Sequence, residues 1–231
     1  MLTLRKSTDR GHHKEDWLTS YHTFSFHKYY DPKFMGFRKL RVINEDRVTA
    51  RRGFGLHPHR DMEIISFVLE GTLEHRDTMG NQERIGPFEL QRISAGTGLE
   101  HSEINPQTEE DVHFLQIWII PRCFGLLPSY EIKAFPQRPT NNLLLLASPD
   151  GRENSATIQQ DVFLFYGLWE TGQSITLPLQ NKLYGWLQII QGAGAINQLP
   201  VMTGDGVAIS DESDILLRAD DNLEFLFFDL N

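Results

Sequence analysis

Short apolar runs broken by turn residues make up most of this chain, and few stretches keep a helical period. The runs are rich in Ile, Val, Phe, Leu and Trp, and Gly, Pro, Asn and Asp separate them. Some, such as HFLQIWII at 113–120, are apolar on both faces, which suits a barrel strand that is covered on its outer face. The pattern predicts an all-β protein. The clearest strands span 40–44, 62–71, 72–78, 88–94, 112–121, 156–169, 183–192 and 222–230.

A weak internal repeat relates residues 66–96 to residues 187–213. Each segment runs through an apolar strand, a Gly turn, a second strand, a polar turn, a Gly-containing link and a third strand. The stretch KAFPQRPTNN at 133–142 has the composition of a linker. We therefore expect two β-barrel domains, an N-terminal one over 1–135 and a C-terminal one over 136–231.

Composition and charge limit the compartments and partners that are expected for the protein. The only cysteine, Cys123, cannot form an intramolecular disulfide, which favours a reducing compartment. The basic start of the chain lacks an apolar segment behind it, so we expect a cytoplasmic protein without membrane contact. A formal net charge of -9 argues against direct nucleic-acid binding.

Two pairs of potential metal ligands share one spacing. His57 and His59 are two residues apart, and His101 and Glu103 repeat that spacing after another Gly-rich turn. Residues two apart on a strand point to the same face, so two neighbouring strands would bring three imidazoles and one carboxylate together. Such a donor set suits a divalent first-row transition metal. A lone H-x-H would more often be a pair of surface histidines.

Glu63 competes for the carboxylate position. It follows His59 by four residues, so strand alternation could place it on the ligand side unless a bulge intervenes. We prefer Glu103, because its spacing from His101 mirrors the other pair, and expect Glu63 in a structural or outer position.

All nine histidines lie at or before His113, so only the first barrel can hold an imidazole-rich site. The histidines outside the ligand set are expected at the surface or in hydrogen-bonded core positions, with His22 near a pocket. The aromatic segment 16–37 is expected to cover a core or close a barrel mouth, and ligand stacking is the less favoured alternative. The remaining histidines are His12, His13, His27, His75 and His113.

These residues resemble the two motifs of a cupin. GFGLHPHRDMEIISFVLEG at 53–71 is similar to the first motif, although its glycine precedes His57 too closely and Glu63 lies one residue too far from Gly71. GTGLEHSEIN at 96–105 is similar to the second, with a glycine where a proline is usual. These departures are similar to those of the pirin family, particularly its bacterial members, and the resemblance covers essentially the whole chain. Further pirin-like segments are 22–44, 95–103, 115–121 and 148–151.

The resemblance implies a bicupin, two jelly-roll-like barrels packed together, with a metal in the N-terminal barrel only. The implied ligands are three histidines and a glutamate, which here are His57, His59, His101 and Glu103. Iron is the expected ion, while zinc, manganese, cobalt, nickel and copper stay open. The implied activity is that of a quercetin 2,3-dioxygenase, which opens a flavonol with O2 and releases carbon monoxide, with Glu103 as the candidate general base.

Two other functions stay open at this point. The pirin resemblance also implies a non-catalytic, metal- or redox-responsive regulator that acts through a protein partner. A cupin isomerase or storage-type protein is the third class, and the pirin-like segments argue against it.

Overall fold

A computed structural model describes residues 1–179, 184–212 and 214–231 of the chain. Residue 183, at the start of a predicted strand, and residue 213, at the end of the predicted repeat, lie outside the described residues. Among the residues that the structure does describe, no helix has the length and apolar character needed to cross a membrane.

Strands are the main regular elements of the described chain, together with 3-10 turns at Ser7–Asp9 and Arg152–Asn154. The strands of the first half are β1 Leu2–Arg5, β2 Gly11–Lys14, β3 Leu18–His22, β4 Leu40–Val48, β5 Gly53–His59, β6 Glu63–Glu70, β7 Leu73–Asp77, β8 Gln82–Ile85, β9 Glu89–Ser94, β10 Leu99–Ile104, β11 Val112–Ile119 and β12 Ser129–Ala134. Those of the second half are β13 Leu143–Ser148, β14 Ala156–Thr157, β15 Val162–Trp169, β16 Ser174–Thr176, β17 Tyr184–Gln191, β18 Ala193–Ile196, β19 Leu199–Met202, β20 Gly206–Ser210, β21 Leu216–Ala219 and β22 Leu223–Leu230.

The all-β prediction is confirmed, and each predicted strand overlaps an observed one. The strand predicted over 156–169 overlaps two observed strands, β14 and β15, instead of one. Residues 159–161 form a bend between them. There the backbone N–H of Gln159 donates to the carboxylate of Glu63 (3.1 Å), and the carbonyl of Gln159 accepts from the N–H of Arg122 (2.8 Å). The bend is thus held by these hydrogen bonds and not by a strand ladder.

The chain divides into two compact units. The N-terminal unit comprises Gly11–Pro136 and Ala156–Gln160. Its sheets run in the order β12-β9-β6-β11-β4-β3-β2 and β5-β10-β7-β8, and their strands pair antiparallel. Its buried apolar residues include one cluster around Phe114 and another around Ile93.

The C-terminal unit comprises Met1–Arg10, Gln137–Ser155 and Asp161–Asn231. The first ten residues belong to it because β1 pairs with β20. Within this unit the sheets run β1-β20-β17-β22-β15-β13 and β16-β21-β18-β19. One continuous cluster of aliphatic and aromatic side chains forms its core. The division of the chain at residues 135 and 136 stays a prediction.

The two units share one strand order, so the internal repeat is present in the fold. The order β9-β6-β11-β4 in the N-terminal unit matches β20-β17-β22-β15 in the C-terminal unit. The smaller sheets match as well, β5-β10-β7-β8 with β16-β21-β18-β19. Two sheets in each unit give the jelly-roll-like barrels that the sequence predicts.

The repeat keeps a glycine at one turn of each barrel. Gly71 follows β6 and Gly192 follows β17, and both have positive φ, 76° and 92°. A Cβ on Gly71 would lie 2.4 Å from the carbonyl oxygen of Asp111, and one on Gly192 would lie 1.9 Å from that of Asn222. Both turns therefore need glycine for its backbone conformation and for the close approach of a second chain segment.

We expect Gly71→Ala and Gly192→Ala each to lower the free energy of unfolding by about 2–4 kcal/mol, because strain and a backbone clash add. Gly80→Ala is the matched control, since Gly80 also has positive φ (95°) but nothing lies within 4 Å of its added Cβ. Its expected loss is about 1 kcal/mol. Urea denaturation measures all three, and equal losses would contradict the account.

Candidate metal centre

Strands β5 and β10 are antiparallel neighbours in the smaller sheet of the N-terminal unit. Their register places His57 opposite His101 and His59 opposite Leu99. Beyond these pairs β5 carries one extra residue, which forms a β-bulge. Burial alternates along β10, and the side chains of His101 and Glu103 are both fully buried. The two sequence pairs thus lie on adjacent strands, as their spacing predicts.

Three imidazoles converge at this pairing. The ring centroids of His57 and His101 are 4.5 Å apart, and each lies 4.8 Å from the ring of His59. The potential ligand nitrogens of the three rings all lie within 4.8 Å of one another. Three nitrogens in such a cluster can bind a first-row transition metal and leave further coordination positions open.

The hydrogen bonding of the rings fits a metal ion. His101 Nε2 is buried and has no hydrogen-bond partner among the described residues, as expected of a nitrogen that binds a metal ion. His57 Nδ1 donates to the carbonyl oxygen of Gly55 (2.7 Å), which leaves its Nε2 with the lone pair. Both rings therefore offer a lone pair to the cluster.

Electrostatics also favour neutral rings here. Burial, and then the neighbouring rings of His101 and His57, lower the pKa of His59 to about 3. Burial, and then the rings of His57 and His75, lower the pKa of His101 to about 3. Because a metal binds the neutral imidazole, His59 and His101 are in the ligating form at neutral pH.

Glu103 lies beside this cluster in a dense hydrogen-bond network. Its Oε1 accepts from Ser66 Oγ (2.8 Å) and from Gln91 Nε2 (3.0 Å), and its Oε2 accepts from Gln116 Nε2 (2.7 Å). The ligand atoms within 4.8 Å of one another belong to the three histidines and not to Glu103. Its role as the fourth ligand therefore stays a prediction. The three donors were not anticipated from the sequence, since single polar residues in apolar strands carry no spacing signal.

Glu63 holds a different position. It is buried, and its Oε2 accepts from Ser94 Oγ (2.8 Å) and from the backbone N–H of Gln159 (3.1 Å). Burial raises the pKa of its carboxyl, while these two hydrogen bonds and Arg92 act in the opposite direction. The residue ties the bend after β14 to β6, which agrees with the structural place expected for it.

A cavity of about 560 Å³ opens beside His57 and His59. Aromatic side chains form much of its wall, and the ring of Trp118 meets that of His59 edge-on, with centroids 5.0 Å apart. The aromatic segment 16–37 supplies Trp17 and Phe26 to the wall. Phe24 of the same segment is buried. The segment therefore covers core and also lines the cavity, where the stacking role ranked second from sequence is physically available.

Polar side chains of β3 and β4 form another part of the wall. His22 Nδ1 lies 2.9 Å from Asn44 Oδ1, and Ser20 Oγ donates a hydrogen bond to Asp46 Oδ1. All four residues line the cavity, so the expectation that His22 lies near a pocket is confirmed. Burial, with smaller contributions from the charges of Glu103 and Glu45, raises the pKa of Asp46 to about 7 despite the Ser20 hydrogen bond.

The other histidines divide between core and cavity. His75 and His113 are buried and bonded to carboxylates, as expected for core histidines. His12 and His27 are exposed, as expected for surface histidines, and together with His13 they line the cavity. Sequence spacing gave no sign of their place at the cavity, which for His12 and His13 depends on the pairing of β2 with β3.

Two jelly-roll-like barrels in one chain, with an imidazole-rich centre in the first, define a bicupin metalloprotein. The model of the family described as Pirin matches residues 3–119, and that described as Quercetinase C-terminal cupin domain matches residues 145–230. The chain belongs to the pirin family. It is 47% identical over 232 residues to an Escherichia coli protein named quercetin 2,3-dioxygenase, an alignment that covers 100% of this chain and 99% of the relative.

Solved structures agree over the full length. The crystal structure of YhhW from Escherichia coli superposes with a TM-score of 0.96 at 45% identity, and the match covers 100% of this chain and 98% of that one. The structure of bacterial pirin YhhW in complex with nickel(II) has a TM-score of 0.95 at 45% identity, covering 100% and 99%. The three-histidine cluster together with this relative supports a divalent metal in the protein.

The raised pKa of Asp46 predicts a pH-dependent cost to stability. The folded protein keeps the carboxyl protonated up to about pH 7, while the unfolded chain ionises it near 3.8, so the free energy of unfolding falls between these values as pH rises. Asp46→Asn removes this loss. In protein freed of metal by chelation, we expect the variant to match the wild type near pH 4 and to exceed it by at most about 4 kcal/mol above pH 7.

Urea denaturation from pH 4 to pH 8 measures this difference, with Asp16→Asn as a control for the loss of an exposed acidic charge. A stability difference between Asp46→Asn and wild type that stays constant with pH would contradict the assignment.

Proposed function

We propose that this protein is a metal-dependent dioxygenase that opens quercetin, or a related flavonol or phenol, with O2 and releases carbon monoxide. The observation that carries the proposal is the convergence of His57, His59 and His101 at the wall of a cavity of about 560 Å³. The relative named quercetin 2,3-dioxygenase, 47% identical over the full chain, supports the same reaction.

The cavity suits a flat aromatic substrate. Its volume falls within the range of about 300–1,000 Å³ that small-molecule sites occupy. Trp17, Phe26, Phe54 and Trp118 give it flat apolar surfaces on which phenolic rings can pack. The polar wall that includes Asn44 and Asp46 offers hydrogen-bond partners for ring hydroxyls.

The proposed ligand set is His57, His59, His101 and Glu103, with iron as the proposed ion. A divalent ion held there supplies Lewis acidity, which lowers the pKa of a flavonol 3-hydroxyl in contact with it. The chain must then accept that proton and keep the electron-rich ring away from bulk water.

Glu103 is the proposed proton acceptor. An ionised carboxylate has about four acceptor positions. Ser66 and Gln91 occupy the two on Oε1, while Gln116 occupies one on Oε2. The remaining position on Oε2 is the one available to bind the ion, so Glu103 would take up the hydroxyl proton there after leaving the ion transiently.

The apolar walls complete the chemistry. Trp118 packs against His59, and Phe54 lies opposite Glu103 in the pairing of β5 with β10. Apart from the indole N–H of Trp118, these two side chains have no group that can donate a proton to a reacting anion. Exclusion of water from such a pocket limits side reactions of the substrate anion.

The same cavity separates the enzyme from the regulatory alternative. A metal enclosed in protein would suit a sensor that acts only through its surface. Here His57 and His59 are only half-buried and line a space of substrate size, which favours turnover of a small molecule.

The release of carbon monoxide from quercetin tests the proposed reaction. Metal-loaded protein incubated with quercetin under O2 is expected to release it faster than the same concentration of free metal ion. His101→Ala is expected to lose metal and activity together. His113→Gln, which alters a buried histidine bonded to Glu45, is expected to keep both. Turnover no greater than that of free metal, or an equally active His101→Ala, would contradict the proposal.

Glu103→Gln tests the proton acceptor. The amide cannot take up the hydroxyl proton, and we expect kcat to fall by about 10²–10⁴-fold. Assays at equal bound metal, verified by elemental analysis of the assayed sample, separate this effect from loss of the ion. An unchanged kcat at equal metal content would exclude Glu103 as the base.

A further inference from the structure

A buried histidine outside the proposed ligand set contacts the metal centre. His75 lies on β7, whose register with β10 places it opposite Glu103 and places Asp77 opposite His101. Its side chain is fully buried. His75 Nδ1 lies 3.4 Å from His101 Nδ1, and His75 Nε2 lies 3.0 Å from Asp77 Oδ2. The three side chains thus form a line that ends at the metal centre.

Asp77 is held as an acceptor at the far end of this line. Its Oδ1 accepts from the backbone N–H groups of Met79 (2.9 Å) and Asn81 (3.0 Å). Its Oδ2 accepts from Asn81 Nδ2 (2.8 Å) as well as from His75. A carboxylate surrounded by donors remains ionised and can only accept. The proton between Asp77 and His75 therefore belongs to His75 Nε2.

Each later proton position follows from the one before. With Nε2 donating to Asp77, the His75 ring can present a lone pair at Nδ1 and accept the hydrogen that lies between the two rings from His101 Nδ1. His101 then carries its lone pair on Nε2. This is the buried nitrogen that has no hydrogen-bond partner among the described residues. The hydrogen bonds and the unpaired nitrogen thus indicate the same tautomer.

We infer that Asp77 and His75 are positioning residues that fix the tautomer and ring orientation of His101, so that His101 Nε2 is presented to the metal. The inference rests on the metal site of the proposed function and not on the identity of the substrate. Outer hydrogen bonds of this kind orient ligating histidines and typically contribute 10- to 100-fold to metal affinity.

The group that orients the ring differs between His101 and His57, its neighbour on β5. His57 is oriented by a backbone carbonyl, that of Gly55, which no side-chain substitution removes. The orientation of His101 depends instead on a side chain. Without His75, the His101 ring can place its proton on Nε2, and that form has no lone pair directed at the metal.

The ring of His75 is itself held in place. Tyr130 stacks on it with centroids 4.6 Å apart and planes 15° apart. The Tyr130 hydroxyl donates to Gln91 Oε1 (3.2 Å), and Gln91 Nε2 donates to Glu103. Tyr130 therefore contacts both His75, which bonds to His101, and Gln91, which bonds to Glu103. Because the His75 ring is held in place, its Nδ1 stays directed at His101 Nδ1.

Zinc(II) affinity of the full-length protein tests the inference, measured by competition with a chromophoric chelator. His75→Phe keeps a ring against Tyr130 but removes the nitrogen that accepts from His101, and we expect zinc to bind 10- to 100-fold more weakly. His75→Gln provides an amide oxygen that can accept the same hydrogen, and we expect it to recover part of the loss. Circular dichroism and thermal unfolding check that each variant folds.

His113→Phe is the matched control. His113 is also a buried histidine bonded to a carboxylate, that of Glu45, on strands of the same unit. Glu45 alternates along β4 with Asn44 and Asp46, whose side chains line the cavity, so this pair lies on the opposite face of the strand. We expect its zinc affinity to stay within twofold of wild type.

A spectroscopic measurement reads the tautomer directly. In ¹⁵N spectra of the zinc-loaded wild type, His101 is expected to carry its proton on Nδ1 and to bind through Nε2. Zinc bound through Nδ1, or wild-type affinity in His75→Phe, would overturn the inference while leaving the metal site intact. Absence of zinc binding in the wild type would overturn the metal site as well.

Discussion

The antiparallel pairing of β5 with β10 is the interaction on which the site depends. It brings two segments more than forty residues apart into register, with His57 opposite His101. A slip of one residue would direct the inward side chains of either strand to solvent and separate the imidazoles. The neighbouring strand β7 then supplies His75 and Asp77 behind His101. The candidate ligands and the side chains behind them thus depend on one sheet register.

The C-terminal barrel has the same strand order but no histidines. Its strands β16 and β21 hold the place of β5 and β10, and there Ile175 pairs with Leu217. Both residues belong to, or pack against, the continuous apolar core of that barrel. One barrel therefore fills its interior with aliphatic and aromatic groups for stability, while the other carries a polar centre and a cavity.

The sequence could predict the fold class and the three histidines that converge, because both depend on local spacing. Alternating apolar runs indicate strands, and an i, i+2 pair indicates one face of a strand whatever its partner. The outer hydrogen bonds could not be predicted in the same way. Gln91, Gln116 and His75 reach the centre from three other strands, and their approach depends on strand register, bulges and turn lengths. The raised pKa of Asp46 likewise comes mainly from burial, which a single sequence does not display.

We expect this chain to hold one divalent transition metal ion through the histidines of β5 and β10. Elemental analysis of the protein purified without added metal, and again after metal loading and gel filtration, measures the metal content of the site. About one ion per chain is expected after loading, and a clearly smaller amount in a variant with both His57 and His59 replaced by Ala. A wild-type site that stays empty under both conditions would contradict this expectation.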